Sequence, residues 1–356
     1  MDTKSMSTDL IEKIAQDDPS CHVIAELSSW FTRPADEVDE KLGPERDRIA
    51  AALNEINARQ RGGDRQAFYL QQLLLSRIYQ LHMLLPDQPN AEGSAVLHEV
   101  TRSLERATLG AESERTDVTV PASAAQSPEA YLTWLKQTAR SHRAFKHPYY
   151  TDFVRNRATA ADLRDYAIQE SVVDGRFDDL LAMMQVGTRG AAKLEIAGNY
   201  WDEMGNGRPE EVHTFLFNKI LQTFEVSESE LEGDLSAEAL LSGNLAVLLC
   251  RYRSLYPEAV GFLGMTEWFV PDRFVDVVKA WERLGLPEVG IVYHRLHITI
   301  DATHASGWFH RVVLPAAGSE FMRRGMTRGA LMRLNTSARY LDERLAAAEG
   351  RPARGG

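Results

Sequence analysis

The sequence predicts an all-α fold. Apolar residues recur at helical spacing along most of the chain, and prolines and glycines punctuate those stretches at their ends. No run alternates with a two-residue period or carries the turn residues of a β-hairpin. At 356 residues with 44 % apolar content, the chain can bury one large core and carry a smaller appended unit.

Residues 1 to about 20 are polar and are expected to be loose. Helical periodicity then runs in three pieces, over 35–60, 64–85 and 92–107. Leu70, Leu73, Leu74, Ile78, Leu81 and Leu85 form an apolar stripe that Pro86 ends. A stripe of this kind is packing surface, so residues 1–109 are expected to form an N-terminal helical packing or dimerisation unit. From 110 to 126 the periodicity fades into Ser, Thr, Glu and Ala, the expected linker. Ser127 followed by Pro128 reads as an N-cap with proline at the first helical position, opening a second domain over 127–350. Thr159 caps the next helix, whose apolar face carries Leu163, Tyr166, Ala167, Val173, Phe177, Leu180 and Leu181, with Glu170 inside it. Further helices are expected over 191–204, 236–255, 272–284, 287–313 and 319–348, with 351–356 a frayed tail.

A net charge of -11 disfavours nucleic acid and anionic membrane surfaces as partners, because both are bound through clustered Lys and Arg. No stretch has the ~20 apolar residues of a membrane span, and no basic-then-apolar leader is apparent, so a cytoplasmic location is expected. Cys21 and Cys250 stand far apart and offer neither a disulfide framework nor a thiolate metal knuckle. Any metal must be held by histidine and carboxylate.

Such residues concentrate in two places. Around a glycine-broken corner, Glu203 precedes Gly205, Gly207 and Pro209, and Glu210 and His213 follow three apart, a spacing that shares a face if both are helical. Further on, His297, Asp301 and His304 fall within about 60° of one another on a helix. A lone histidine on an apolar face is usually a satisfied core residue, and Glu170 alone could meet an arginine. Several such groups in phase are different. Glu170, Glu203, Glu210, His213, His297, Asp301 and His304 give four carboxylates and three imidazoles, whose buried charge two divalent ions would neutralise. A thiolate-free mixed set suits iron or manganese. His294 lies near the second face and His310 off it, and both are expected to be structural or to support the ligands from behind.

In order, Asn199-Tyr-Trp-Asp-Glu203-Met-Gly-Asn-Gly, Glu210-x-x-His213 and His297-x-x-x-Asp301-x-x-His304 resemble the ligand segments of the haem-oxygenase-like diiron oxidases and oxygenases. Glu170 resembles the carboxylate from the preceding helix, and His147-Pro-Tyr-Tyr the opening of that domain. The resemblance spans 127–348. It implies a haem-oxygenase-like helical bundle with an N-terminal helical extension, which in some members is a dimerisation unit, hence an expected homodimer. It also implies two Fe(II)/Fe(III) ions, O2 as co-substrate, a small-molecule substrate and an external electron donor. The activity implied first is N-oxygenation of an amino acid or related amine, as in specialised metabolism. The alternative is oxidative C–C cleavage of an amino or fatty acid. A third reading is a metal-free or haem-binding interaction bundle, with His142 or His147 as the haem ligand. Glu267, in Gly264-Met-Thr-Glu267, and Arg311 are candidate substrate contacts, and Arg251 a further carboxylate clamp.

Overall fold

The computed structural model describes residues 19–350. Most of the segment expected to be loose, residues 1–18, and the expected tail at 351–356 lie outside the described residues. Those described are helical, with no strand among them. They divide into two compact units, Met1–Glu114 with Glu228–Leu245 and Arg115–Ser227 with Ala246–Gly356. No helix among the described residues is long and apolar enough to cross a membrane.

Unit 1 begins with α1 (Pro19–Ser29), α2 (Ala35–Leu42), α3 (Arg46–Arg61), α4 (Arg65–Met83) and α5 (Ala95–Glu114). The single helix expected over 35–60 is broken by a 3-10 turn at Gly43–Glu45, where Pro44 removes a backbone donor. Asp64 caps α4 by accepting from the N–H groups of Gln66 and Ala67. Asp39 does the same for α5, from Ala95, Val96 and the Ser94 hydroxyl. Of the leucine stripe, Leu70, Leu73, Leu74 and Ile78 are buried, whereas Leu85 lies past the helix end and is 99 % exposed. α5 continues to Glu114, so the first residues of the 110–126 segment are helical.

Unit 2 opens with α6 (Pro128–Ser141), capped by the Ser127 hydroxyl, and a π-helical turn at Tyr149–Arg157. α7 (Ala160–Glu170) starts in a reciprocal capping box between Thr159 and Asp162. It ends at Glu170, and a 3-10 turn at Asp174–Arg176 separates it from α8 (Phe177–Gln185), so the apolar face read as one stripe is two helices. α9 (Gly190–Glu203) and α10 (His213–Thr223) follow. The chain next supplies α11 (Glu228–Gly233) and the first half of α12 (Ala237–Arg251) to unit 1, then re-enters unit 2.

The centre of unit 2 is α13 (Tyr256–Arg283), which packs along α14 (Val292–Gly307) and α15 (Glu320–Glu349). The sequence places the start of this helix at Asp272, after Pro271. The structure runs the helix straight through Pro271, sixteen residues earlier, because packing of both its faces outweighs one lost backbone hydrogen bond. Its close approach to α15 requires glycine. A Cβ on Gly261 would sit 1.9 Å from the Met326 carbonyl oxygen, and one on Gly329 would sit 1.8 Å from that of Glu258. Gly264 gives room to the indole of Trp308, whose Nε1 donates to the Val260 carbonyl at 3.0 Å. This ties the end of α14 to α13 one turn before Glu267.

Candidate metal centre

Glu203 is the last residue of α9 and His213 the first of α10. The corner between them is built from Gly205, Asn206 and Gly207, all with positive φ (59°, 52° and 82°). A side chain at Gly205 would put its Cβ 2.5 Å from the Glu211 backbone, so only glycine lets the returning strand of chain close on the helix end. Pro209–Glu211 is a 3-10 turn and Val212 precedes α10. Glu210 therefore does not share a helical face with His213. It is exposed, and the structure does not bring it to the other candidate ligands. Proline set a tight turn where the sequence suggested a helix start.

Across the corner, His213 Nδ1 lies 2.8 Å from Glu203 Oε2, yet the approach lacks hydrogen-bond direction and the nitrogen has no other partner. His297 Nε2 is 3.8 Å from Glu203 Oε1, and its Nδ1 donates to the Tyr293 carbonyl at 2.8 Å. A carbonyl can only accept, so Nδ1 carries a proton, and Nε2 is the ring atom turned toward the glutamate and free to act as a metal donor when the ring is neutral. Glu203, His213 and His297 place one donor atom each within 4.8 Å of the others, and all are buried.

A second group has the same form. His297, Asp301 and His304 line one buried stripe of α14, and the latter two meet Glu267 from α13, again with donor atoms within 4.8 Å. His304 Nε2 lies 3.0 Å from the Asp202 carboxylate, which can only accept, so Nε2 carries a proton and Nδ1 is the atom that gives a lone pair once the ring is neutral. That Nδ1 is 3.5 Å from Glu267 Oε2 without a hydrogen bond, and Glu267 Oε1 has no partner either. Glu203, His297, Glu267 and Asp301 all line a single small cavity of about 20 Å³, together with Asp174, Phe177, Thr266, Val270 and Tyr293. The space suits ions and a solvent molecule and is far too small for a haem.

The electrostatics of the pocket suit a cation. Burial pushes the Asp301 carboxyl well above its usual range, and Glu267, Glu203 and Asp174 add to the shift. Asp174 is likewise raised by burial and by Glu170, against the pull of Arg333. Burial would raise Glu203 too, but the His213 and His297 rings hold it down at about 2. Burial would lower His304, but Glu267 and Asp202 hold it up at about 9. Carboxylates raised by burial and mutual repulsion, beside a histidine that carboxylates hold up against burial, mark a pocket that favours added positive charge.

Three more carboxylates remain to be placed, of which only Glu170 was an expected ligand. Glu170 is not in either group; its Oε1 accepts from the hydroxyls of Tyr340 at 2.8 Å and Tyr150 at 3.4 Å, rather than from an arginine. Its charge still reaches Asp174. Glu267, expected as a substrate contact, instead faces Asp301 and His304. Asp174 was not singled out by sequence, because beside Gly175 it reads as an ordinary turn residue. Arg311 is 67 % exposed and pairs with Glu195. His294 is fully buried, shares a hydrogen bond with the Tyr166 hydroxyl and is pushed down to about 3 by burial. Neither proposed haem histidine has a free ring nitrogen: His142 meets Asn335 and the Ala144 N–H, and His147 meets Asp342 and the Tyr149 N–H.

Helical packing around two facing groups of carboxylate and imidazole donors defines a class of metalloprotein with an all-α, haem-oxygenase-like bundle. Residues 164–338 match the family model described as iron-containing redox enzyme, which supports that family for this part of the chain. The matched stretch contains every residue of both groups. No curated protein matches the chain.

Proposed function

We propose that this protein is a non-haem diiron oxygenase that N-oxygenates an amino acid or related amine. One iron would be held by Glu203, His213 and His297 and the other by Glu267, Asp301 and His304, with Asp174 and Glu170 as neighbouring carboxylates. The observation that carries this reading is the orphaned state of His213 Nδ1, His304 Nδ1 and Glu267 Oε1, buried polar atoms that a bound ion would satisfy. Iron bound there supplies activation of O2.

The chain's own residues do the rest. The Tyr293 carbonyl and Asp202 fix which nitrogen of His297 and His304 carries the proton, so each ring presents a lone pair. Phe177, Val270 and Tyr293 keep the cavity wall apolar and limit water. Inserting one oxygen atom into an N–H bond consumes O2, two electrons and two protons and releases one water. The electrons would come from an external donor, and the protein is expected to act as a homodimer in the cytoplasm.

Incubating the anaerobically iron-loaded protein with isotopically labelled O2, a reductant and a panel of amines and amino acids tests the reaction. A product that gains one labelled oxygen on nitrogen supports it. Loss of a carbon fragment replaces it with oxidative C–C cleavage, and no O2-dependent product from any of them contradicts both.

A further inference from the structure

A second cavity, of about 290 Å³, opens between the Tyr149–Arg157 turn and α13, and it shares no lining residue with the metal cavity. Its size is near the lower end for small-molecule sites, roughly 300–1,000 Å³. Its walls carry both signs of charge. Arg273 is 6 % exposed; its Nη2 donates to the Ala144 carbonyl and the Ser337 hydroxyl, its guanidinium covers the Phe269 ring, and its Nε has no partner. Lys146 is exposed on the same rim, and no ion pair or hydrogen bond engages it.

The opposite charge lies one turn along α13. Asp276, 6 % exposed, pairs with Arg155 at 3.4 Å and feels Lys279 as well, yet burial raises its carboxyl, with Asp272 adding repulsion. Asp272 lines the cavity with no hydrogen-bond or ion-pair partner. A buried donor with nothing to donate to and a buried carboxylate whose pKa burial raises are both unfavourable, and one ligand can relieve both, with the exposed Asp272 beside them. A simple anion would be repelled by the aspartates, and a simple cation by Arg273 and Lys146.

We propose that this cleft binds a free α-amino acid as its zwitterion. Arg273 Nε and Lys146 take the carboxylate, Asp272 and Asp276 take the ammonium, and the Phe145 and Tyr150 rings cover the side chain. The site is separate from the iron ligands, so it stands whether the iron chemistry is N-oxygenation or C–C cleavage. It borders the metal region through Tyr150, whose ring lines the cleft and whose hydroxyl reaches Glu170.

Titration calorimetry on the full chain, stripped of metal by chelation, tests the proposal without any turnover. The probes are L-leucine, L-glutamate and L-arginine, with 4-methylpentanoate and 3-methylbutylamine as leucine analogues that each lack one charge. At least one amino acid binds, and if it is leucine each analogue binds at least about tenfold more weakly. Asp272→Asn weakens amino-acid binding about tenfold without weakening any residual binding of 4-methylpentanoate, and Lys146→Gln weakens both. Neither side chain supports the fold through a contact, and circular dichroism confirms that the variants fold. No binding of any of the three amino acids at about 10 mM overturns the proposal. So do analogue affinities equal to that of leucine, or Asp272→Asn leaving amino-acid binding unchanged.

Discussion

Both units bury a cluster of polar side chains, and the two clusters are resolved in opposite ways. In unit 1, Gln71 Nε2 donates to Asn57, Gln72 Nε2 donates to Gln71 and Thr108, and Asn244 Nδ2 donates to Gln72. Each amide in this row finds its partner in the next, and the row ends where Asn57 Nδ2 donates to Ser103. In unit 2, equally buried imidazoles and carboxylates approach to within 2.8–3.8 Å but leave His213, His304 and Glu267 atoms unsatisfied. Amides carry donor and acceptor together and can complete one another, whereas carboxylates only accept and a neutral imidazole has one lone pair to give. Closed polarity holds a fold together; open polarity marks a place for a ligand.

The largest effects should come from the open cluster. His213→Ala removes one of three donors at its site, and metal analysis is expected to show that site empty, with turnover lowered by more than about 100-fold. Undiminished iron would mean that the ring is structural. Asp202→Asn leaves the donors in place but no longer selects the His304 tautomer. Iron affinity at the second site, read from competition with a chelator, should fall about 10–100-fold while the first site fills normally.

The closed cluster should respond in stability rather than in metal. Gln72→Leu strands Gln71 Oε1 and the Thr108 hydroxyl, which is expected to cost about 1–3 kcal/mol in chemical denaturation with iron content unchanged. A loss of iron would show that the two clusters are not independent.

Acidity gives a further contrast. His304, Asp301 and Asp174 have raised pKa values, so each contributes stability to the metal-free protein below its ordinary pKa, and that contribution is lost as pH rises through the folded value, about 9 for His304. Iron must displace these protons. The rise in melting temperature on anaerobic Fe(II) loading should therefore grow between about pH 6 and pH 9, with proton release on binding. A gain that shrinks with pH would contradict the assignment. The smallest effect is expected at the surface, where Glu210→Gln should change iron content and turnover by less than about twofold.

The difference between legible and hidden candidate ligands has a local cause in each case. His297, Asp301 and His304 could be read because a straight helix keeps its period through all of them, and Glu203 because three turn-forming residues follow it. Spacing puts Glu210 on the helix of His213, but Pro209 sets a 3-10 turn and α10 begins only at His213. Glu267 was legible as a carboxylate but not as a neighbour of Asp301, since Pro271 suggests a helix start where tertiary packing continues one. Asp174 sits in a break between two helices that the apolar pattern joins into one. Meetings between separate elements, such as Glu267 with His304, depend on packing that no local pattern encodes.

Anaerobic titration with Fe(II), followed by Mössbauer spectroscopy and metal analysis, reaches the central claim most directly. The wild-type protein is expected to take two irons per chain, with His213→Ala and His304→Ala each retaining about one. A single iron in the wild type, a haem absorption band, or full occupancy in both variants would contradict it.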